Sequence, residues 1–256
     1  MMNFTFNRHA VIKTIFLLSS CVLTLIGCSR NSKMNNESAN QSYYTESKVK
    51  SIHSNRTAWN HKVASAEKRE PLKYTEELQK HDITLKSLDE YRKNKVILVQ
   101  GTVLNLQTGN QSIIPTTKII IHVDNVLSGD KKLLNTNLKF FTEGGLIPKN
   151  NYSTPDGQSP ENNGKMVYVT RSKYPLLAIG GKVIISLKKS KIDYGGKTDN
   201  IKQFDPLNVE EEYWVYNSKM KRYVINDKLI QNLDEKEKSK FKSLFKLTDE
   251  INKSIN

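Results

Sequence analysis

The chain has 256 residues, a sequence pI near 9.5 and a net charge of +14, with only two cysteines. Once an export signal and a polar stretch behind it are set aside, that length leaves room for about one domain preceded by a helical segment. Both cysteines lie in the first 28 residues, which leaves no thiol downstream for a disulfide, a zinc site or a cysteine nucleophile.

The N-terminus has the three parts of a secretory signal. Arg8 and Lys13 supply positive charge, Ile15 to Ile26 an apolar core too short to span a bilayer permanently, and small residues stand at the cleavage point. Leu25-Ile26-Gly27-Cys28 then resembles a bacterial lipobox, in which the cysteine thiol is diacylated and the peptide is cut just before it. Leu18-Ser19-Ser20-Cys21 fits the same spacing, but the apolar run continues past it to Gly27, so cleavage there would leave a hydrophobic stub. An ordinary signal peptide with a buried Cys28 is the other reading. If residues 1–27 are removed, Arg8 and Lys13 go with them and the mature chain carries +12. Diacylglyceryl and acyl (palmitate-type) chains on Cys28 would anchor the protein at the extracytoplasmic face of the cell membrane.

Residues 28–57 are dominated by Asn, Ser, Lys and Glu. They carry too little apolar surface to offset chain entropy, so a flexible tether is expected there. Residues 58–94 turn helical in character. Pro71 suits the first turn of a helix through Tyr74 and Leu78, and Ser87-Leu88-Asp89-Glu90 is a capping box for a short helix ending near Asn94.

Strand-like runs follow at Val96 to Gln107, Thr117 to Leu127 and Leu138 to Thr142. In the second, Ile119, Ile121 and Val123 share one phase and Lys118, Ile120, His122 and Asp124 the other, as a strand with one buried face requires. Gly101, mid-strand, is where a strand bends or bulges. Ser128-Gly129-Asp130 makes a turn, Glu143-Gly144-Gly145 ends the third run, and Asn150 to Gly164 is a long polar loop. Further strands are expected at Met166 to Thr170 and Lys182 to Leu187, with a hairpin of Tyr213 to Tyr216 and Arg222 to Ile225. The chain closes on a helix capped by Asp234, whose apolar face carries Phe241, Leu244, Phe245, Ile251 and Ile255. The fold class predicted is mainly β with flanking helices: a small β-barrel over 95–233, which the resemblance below implies to be OB-like, an N-terminal helical segment and a C-terminal amphipathic helix over 234–256.

Ser87 to Glu90, Val99-Gln100-Gly101-Thr102-Val103, Val123 to Asp130 (VDNVLSGD), Glu143-Gly144-Gly145 and Leu176 to Leu187 (LLAIGGKVIISL) occur in that order. Together they resemble a family of small exported proteins and lipoproteins of Gram-positive bacteria with an OB-like barrel, distantly similar to the netrin and metalloproteinase-inhibitor module. The resemblance covers roughly Leu85 to Asp227. The chain departs from it at Thr142-Glu143, where the family tends to have proline, and at Val183-Ile184-Ile185, which replaces an aromatic-bearing strand. Inhibition in the distant relatives uses a free N-terminal cysteine and disulfides, so that activity does not carry over to a chain acylated at Cys28.

No catalytic or metal-ligating set is legible, and no cofactor is expected. His53, His61, His81 and His122 share no ligand spacing, and His122 falls on the outward phase of its strand. Gly144-Gly145 and Gly180-Gly181 read as turns that need positive φ, not as phosphate loops. Two classes of function remain. One is a non-catalytic binding or assembly module that engages a protein or cell-wall component through its loops. The other, less favoured, is capture of a polyanion or nucleic acid through the excess charge and Phe141, Tyr168, Trp214, Tyr216 and Tyr223. The densest cationic runs, Lys131-Lys132, Lys188-Lys189 and Lys219 to Arg222, make Lys131, Lys132, Lys188, Lys189, Lys219, Lys221 and Arg222 the candidate contact surface.

Overall fold

The computed structural model describes residues 34–69, 85–109, 115–152, 164–170, 174–191, 200–207 and 213–255, with side chains from Thr45 onward. The backbone divides into two compact units, residues 1–47 and 48–256. In chain order the elements are α1 (Met34–Ala64), β1 (Glu67–Arg69), α2 (Leu88–Lys93), β2 (Ile97–Thr108), β3 (Thr116–Ser128), β4 (Asn137–Glu143), β5 (Gly145–Pro148), β6 (Met166–Val169), β7 (Lys182–Lys189), β8 (Lys202–Pro206), β9 (Tyr213–Asn217), β10 (Arg222–Ile225), α3 (Lys228–Gln231), α4 (Glu235–Lys238) and α5 (Lys242–Ile255). Among the described residues no helix is long and apolar enough to cross a membrane.

Strands β2, β3 and β4 form an antiparallel meander. β7 returns antiparallel beside β2, and β8 lies between β7 and β4, antiparallel to one and parallel to the other. The ring closes in the order β2-β3-β4-β8-β7, a five-stranded barrel of OB type with β9 and β10 continuing the sheet outside it. β7 serves both parts: Leu187 to Lys189 pair with β8, while Val183 to Ile185 pair with β9. The expected bend at Gly101 is a register shift between Gln100 and Gly101, where a Cβ would come within 2.5 Å of the His122 carbonyl oxygen.

The barrel interior is filled by side chains of alternate strand positions, among them Val99, Val103, Ile119, Ile121, Leu138, Phe140, Val183 and Ile185. A second core lies outside the barrel, where Leu98, Ile184, Trp214 and Ile225 meet Leu244, Leu247 and Ile251 of α5 and Leu88 and Tyr91 of α2. A third, smaller cluster of Ile147, Tyr152, Val167 and Val169 sits on the three-stranded sheet β1-β6-β5. The α2 cap is the one the sequence predicts: the Ser87 hydroxyl accepts from the Glu90 N–H. The Glu90 carboxylate reaches back to the Lys86 N–H at 2.7 Å, one residue earlier than in the standard box.

β10 is a sheet edge, and an open edge invites pairing with another chain. Asn252 of α5 closes it. Its side-chain amide accepts from the Tyr223 N–H at 2.8 Å and donates to the Tyr223 carbonyl at 3.0 Å, in the manner of a neighbouring strand.

Two departures from the sequence reading stand out. Over the expected tether, residues 28–57, the chain is helical from Met34 onward, and within the second unit α1 docks on one end of the barrel. Ile52, Trp59 and Val63, seven and four residues apart on one helix face, pack into the barrel core. Asn55 donates to the Leu104 carbonyl at 3.0 Å, the residue skipped where the β2 ladder shifts register between Val103 and Asn105, and Arg56 Nε donates to the Ile179 carbonyl at 2.9 Å. Polar side chains of the helix thus satisfy rim carbonyls, a contribution that hydrophobic patterning does not register. Second, β1, β5 and β8 form where the sequence predicts no strand. The expected helix from Pro71 through Leu78, His81, the centre of the Asn150 to Gly164 loop and the whole of residues 1–33 lie outside the described residues.

Candidate functional site

Cys28 also lies outside the described residues. The seven candidate cations do not form one patch, because the register of the sheet sends them to opposite ends. Ile97 at the start of β2 pairs with Leu187, and Leu98 with Ser128, which brings the turn bearing Lys131 and Lys132 to the same end as Lys188 and Lys189. There Asp130 caps the turn by accepting from the Lys132 N–H at 3.0 Å, and Lys131 Nζ donates to the Val126 carbonyl. Leu134, two residues beyond Lys132, is 46% exposed.

The β9–β10 hairpin carries Lys219, Lys221 and Arg222 past the opposite end. Val215 pairs with Val183 and Asn217 with Arg222, so the turn projects beyond Lys182, the first residue of β7. Asn217 builds the turn: its side-chain oxygen accepts from the N–H groups of Lys219 and Met220 at 3.0 and 3.1 Å. Arg222 is paired to Asp249 of α5 at 2.7 Å. Lys182, Lys219 and Lys221 have no ion pair among the described residues and are exposed.

Behind the turn lies an ordered row on the outer face of the sheet. Tyr216 and Tyr223, paired across β9 and β10, meet edge to face with centroids 5.4 Å apart, and Lys182 Nζ lies 5.7 Å from the Tyr216 centroid. Gln100 donates to the Tyr223 hydroxyl at 2.8 Å; burial, the larger influence, pushes that phenol up. One strand beyond Lys182, Thr102 donates to Asp124 at 2.5 Å, and Asp124 accepts Lys48 of α1 at 3.1 Å. The second unit therefore begins, at Lys48, on the same face as the hairpin.

Of the five aromatics considered for base stacking, Trp214 and Tyr223 are buried in the outer core and Tyr216 is exposed. The outer face of β3 and β4, where OB barrels that take oligonucleotides hold them, is closed here: Ile120, His122 and Lys139 are all buried. His122 keeps the outward phase expected of it, but the expected surface exposure is corrected: the side chain is buried. Its Nδ1 lies 3.0 Å from the Asn137 side-chain oxygen, a contact made across the β3–β4 ladder, so strand phase alone does not determine its exposure. His53 and His61 are exposed on α1. Among the described residues no three His, Cys, Asp or Glu side chains converge as a metal site would require. A cleft of about 200 Å³ between Arg56, Trp59 and Asn60 of α1 and Leu177 to Ile179 is smaller than the several hundred Å³ of a typical ligand pocket.

Tyr213 is buried beside the barrel, and its hydroxyl finds no hydrogen-bond partner among the described residues. Burial raises its phenol well above the usual tyrosine value. Folded-state protonation therefore stabilises the fold fully below about pH 10, the unfolded value, and that contribution is lost as pH rises beyond it because only the unfolded chain ionises. Tyr213→Phe removes the unpaired hydroxyl, so urea titrations at neutral pH should show a gain of about 1 kcal/mol and, at about pH 10.5, a smaller alkaline loss than wild type. Loss of stability in the variant would show that the hydroxyl is satisfied.

Compared with known proteins, the chain matches no family model, no curated protein and no solved structure at a significant level.

Proposed function

We propose that the chain is a lipid-anchored extracytoplasmic binding module of a bacterial cell envelope, attached through acyl groups on Cys28, whose OB-like barrel engages a protein or cell-wall partner without catalysis. The observation that carries the binding half is the filled barrel interior: with its lumen occupied by its own side chains, the barrel offers a partner only its surface. The end bearing Lys131, Lys132, Lys188 and Lys189, with exposed Leu134, combines charge with an apolar element, as protein contacts do. Support for the anchor is the Leu25-Ile26-Gly27-Cys28 motif closing an apolar run; acylation there would supply the two or more chains that stable attachment requires. The kinship with Gram-positive exported OB-like proteins belongs to the same proposal.

Replacing Cys28 with Ala should block acylation and leave an uncleaved precursor or a shed protein. Membrane fractions analysed by mass spectrometry decide this; a mature-sized, acylated chain persisting in the variant rejects the anchor. For the partner, crosslinking in intact cells with the four lysines changed to Glu should lose the species captured by wild type. The polyanion reading rests on the +12 charge and predicts a different signature. Affinity would fall log-linearly with salt as counterions are released, whereas a contact with a desolvated centre keeps much of its affinity.

A further inference from the structure

We infer that the β9–β10 hairpin, with the adjoining Lys182, is a second membrane contact that docks on the headgroups of anionic lipids. Three lysines without an ion pair among the described residues, Lys182, Lys219 and Lys221, converge on the hairpin end of the sheet. Between them Met220 is 58% exposed and Tyr216 40% exposed. The tip is held in one shape by the two hydrogen bonds to the Asn217 side chain and by positive φ at Lys221, 51°, so Met220 is presented and not merely loose.

Cations flanking an apolar tip match the layering of a bilayer surface, where anionic phosphates lie above an apolar boundary that takes methionine and the tyrosine ring. A hydrated polyanion such as a wall polymer would use the lysines and leave Met220 without a role. Lys48 adds a further cation to this side of the sheet, held at 3.1 Å on Asp124, two strands from Lys182 across β2. The inference goes beyond the anchoring proposal, and the contact forms with or without acyl chains.

The test uses the unacylated polypeptide 29–256 and vesicles of phosphatidylcholine with and without phosphatidylglycerol. Sedimentation should show binding only to the anionic vesicles. The combined variant Lys182→Gln, Lys219→Gln, Lys221→Asn, with Asn chosen for the positive φ at 221, should bind roughly a hundredfold more weakly, from about a fivefold loss per lysine. Met220→Ser, a single exposed change, should weaken binding roughly fivefold to tenfold while leaving the salt dependence as it was, and its thermal unfolding should match wild type. Equal binding to neutral vesicles, or undiminished binding by both variants, overturns the inference. So does displacement by soluble long-chain polyphosphate with Met220→Ser indistinguishable from wild type, which assigns the hairpin to a polymer. Acylation of Cys28 is read separately in membrane fractions, so failure of either result leaves the other standing.

Discussion

Trp214→Ala should cost about 3 to 5 kcal/mol, the largest single loss expected in this chain. The indole is fully buried at the centre of the outer core, where β9 meets α5, packed with Ile184, Ile225, Leu244 and Ile251. Its Nε1 donates to the Thr248 hydroxyl at 2.9 Å, and that hydroxyl donates onward to the Leu244 carbonyl at 2.7 Å. Removing the ring leaves a cavity between a sheet and a helix that cannot collapse independently, because Asn252 also ties α5 to the β10 edge. With total stabilities of about 5 to 15 kcal/mol for a domain, the variant is expected near the limit of folding. Urea unfolding followed by circular dichroism checks this; a shift below about 1 kcal/mol would show that the C-terminal helix is not docked on the sheet as described. Trp214→Phe, which keeps most of the apolar volume and loses the donor, should fall well below the alanine cost.

Gly145→Ala should be the second most damaging change, at about 2 to 5 kcal/mol, and for a different reason. Gly145 has φ 106° and stands between β4 and β5, where the chain turns from the barrel into the small sheet. An added Cβ would collide with the Thr117 hydroxyl oxygen, which is buried and donates to the Gly144 carbonyl at 2.8 Å. The methyl group therefore meets an unfavourable backbone region and displaces a buried hydrogen bond at the same time, costing about 1 to 3 kcal/mol for each effect. The small entropic gain of alanine over glycine in the unfolded chain, about 0.4 to 1 kcal/mol, does not offset this. Thr117→Val in the Gly145→Ala background discriminates the two components. It should add little further loss if the hydroxyl has already been displaced, and full additivity would show that the hydrogen bond survives.

Position 145 also shows how much is legible in the sequence by itself. The reading of Gly144-Gly145 as a turn that needs positive φ, and not as a phosphate loop, agrees with φ values of 92° and 106°. The same is true of the Ser87 cap, the bulge at Gly101, the alternation that buries Ile119, Ile121 and Val123, the hairpin at 217–221 and the apolar face of the last helix. Each of these depends on residues within a few positions of one another, so the backbone preferences and hydrophobic period that cause them are written locally. The mainly β class with flanking helices follows from their order.

What tertiary structure alone decided depends on residues far apart in the chain. β8 closes the barrel by pairing parallel to β4, Leu138 with Lys202, and a short strand with a single buried residue, Phe204, has no local period to announce that. Residues 48–57 are helical and docked because Ile52 packs on the barrel core and Asn55 and Arg56 meet carbonyls left open by a bulge 49 residues away and a loop 123 residues away. The seven cations that composition grouped are separated by strand register, which places Lys131 and Lys188 at one end and Lys219 at the other. His122 is buried despite its outward phase, because burial is set by what packs over a strand and alternation reports only which side a residue takes. Composition and pattern determine which segments can become strands and helices; which end of a barrel a charge occupies is fixed by pairing register, a property no segment possesses alone.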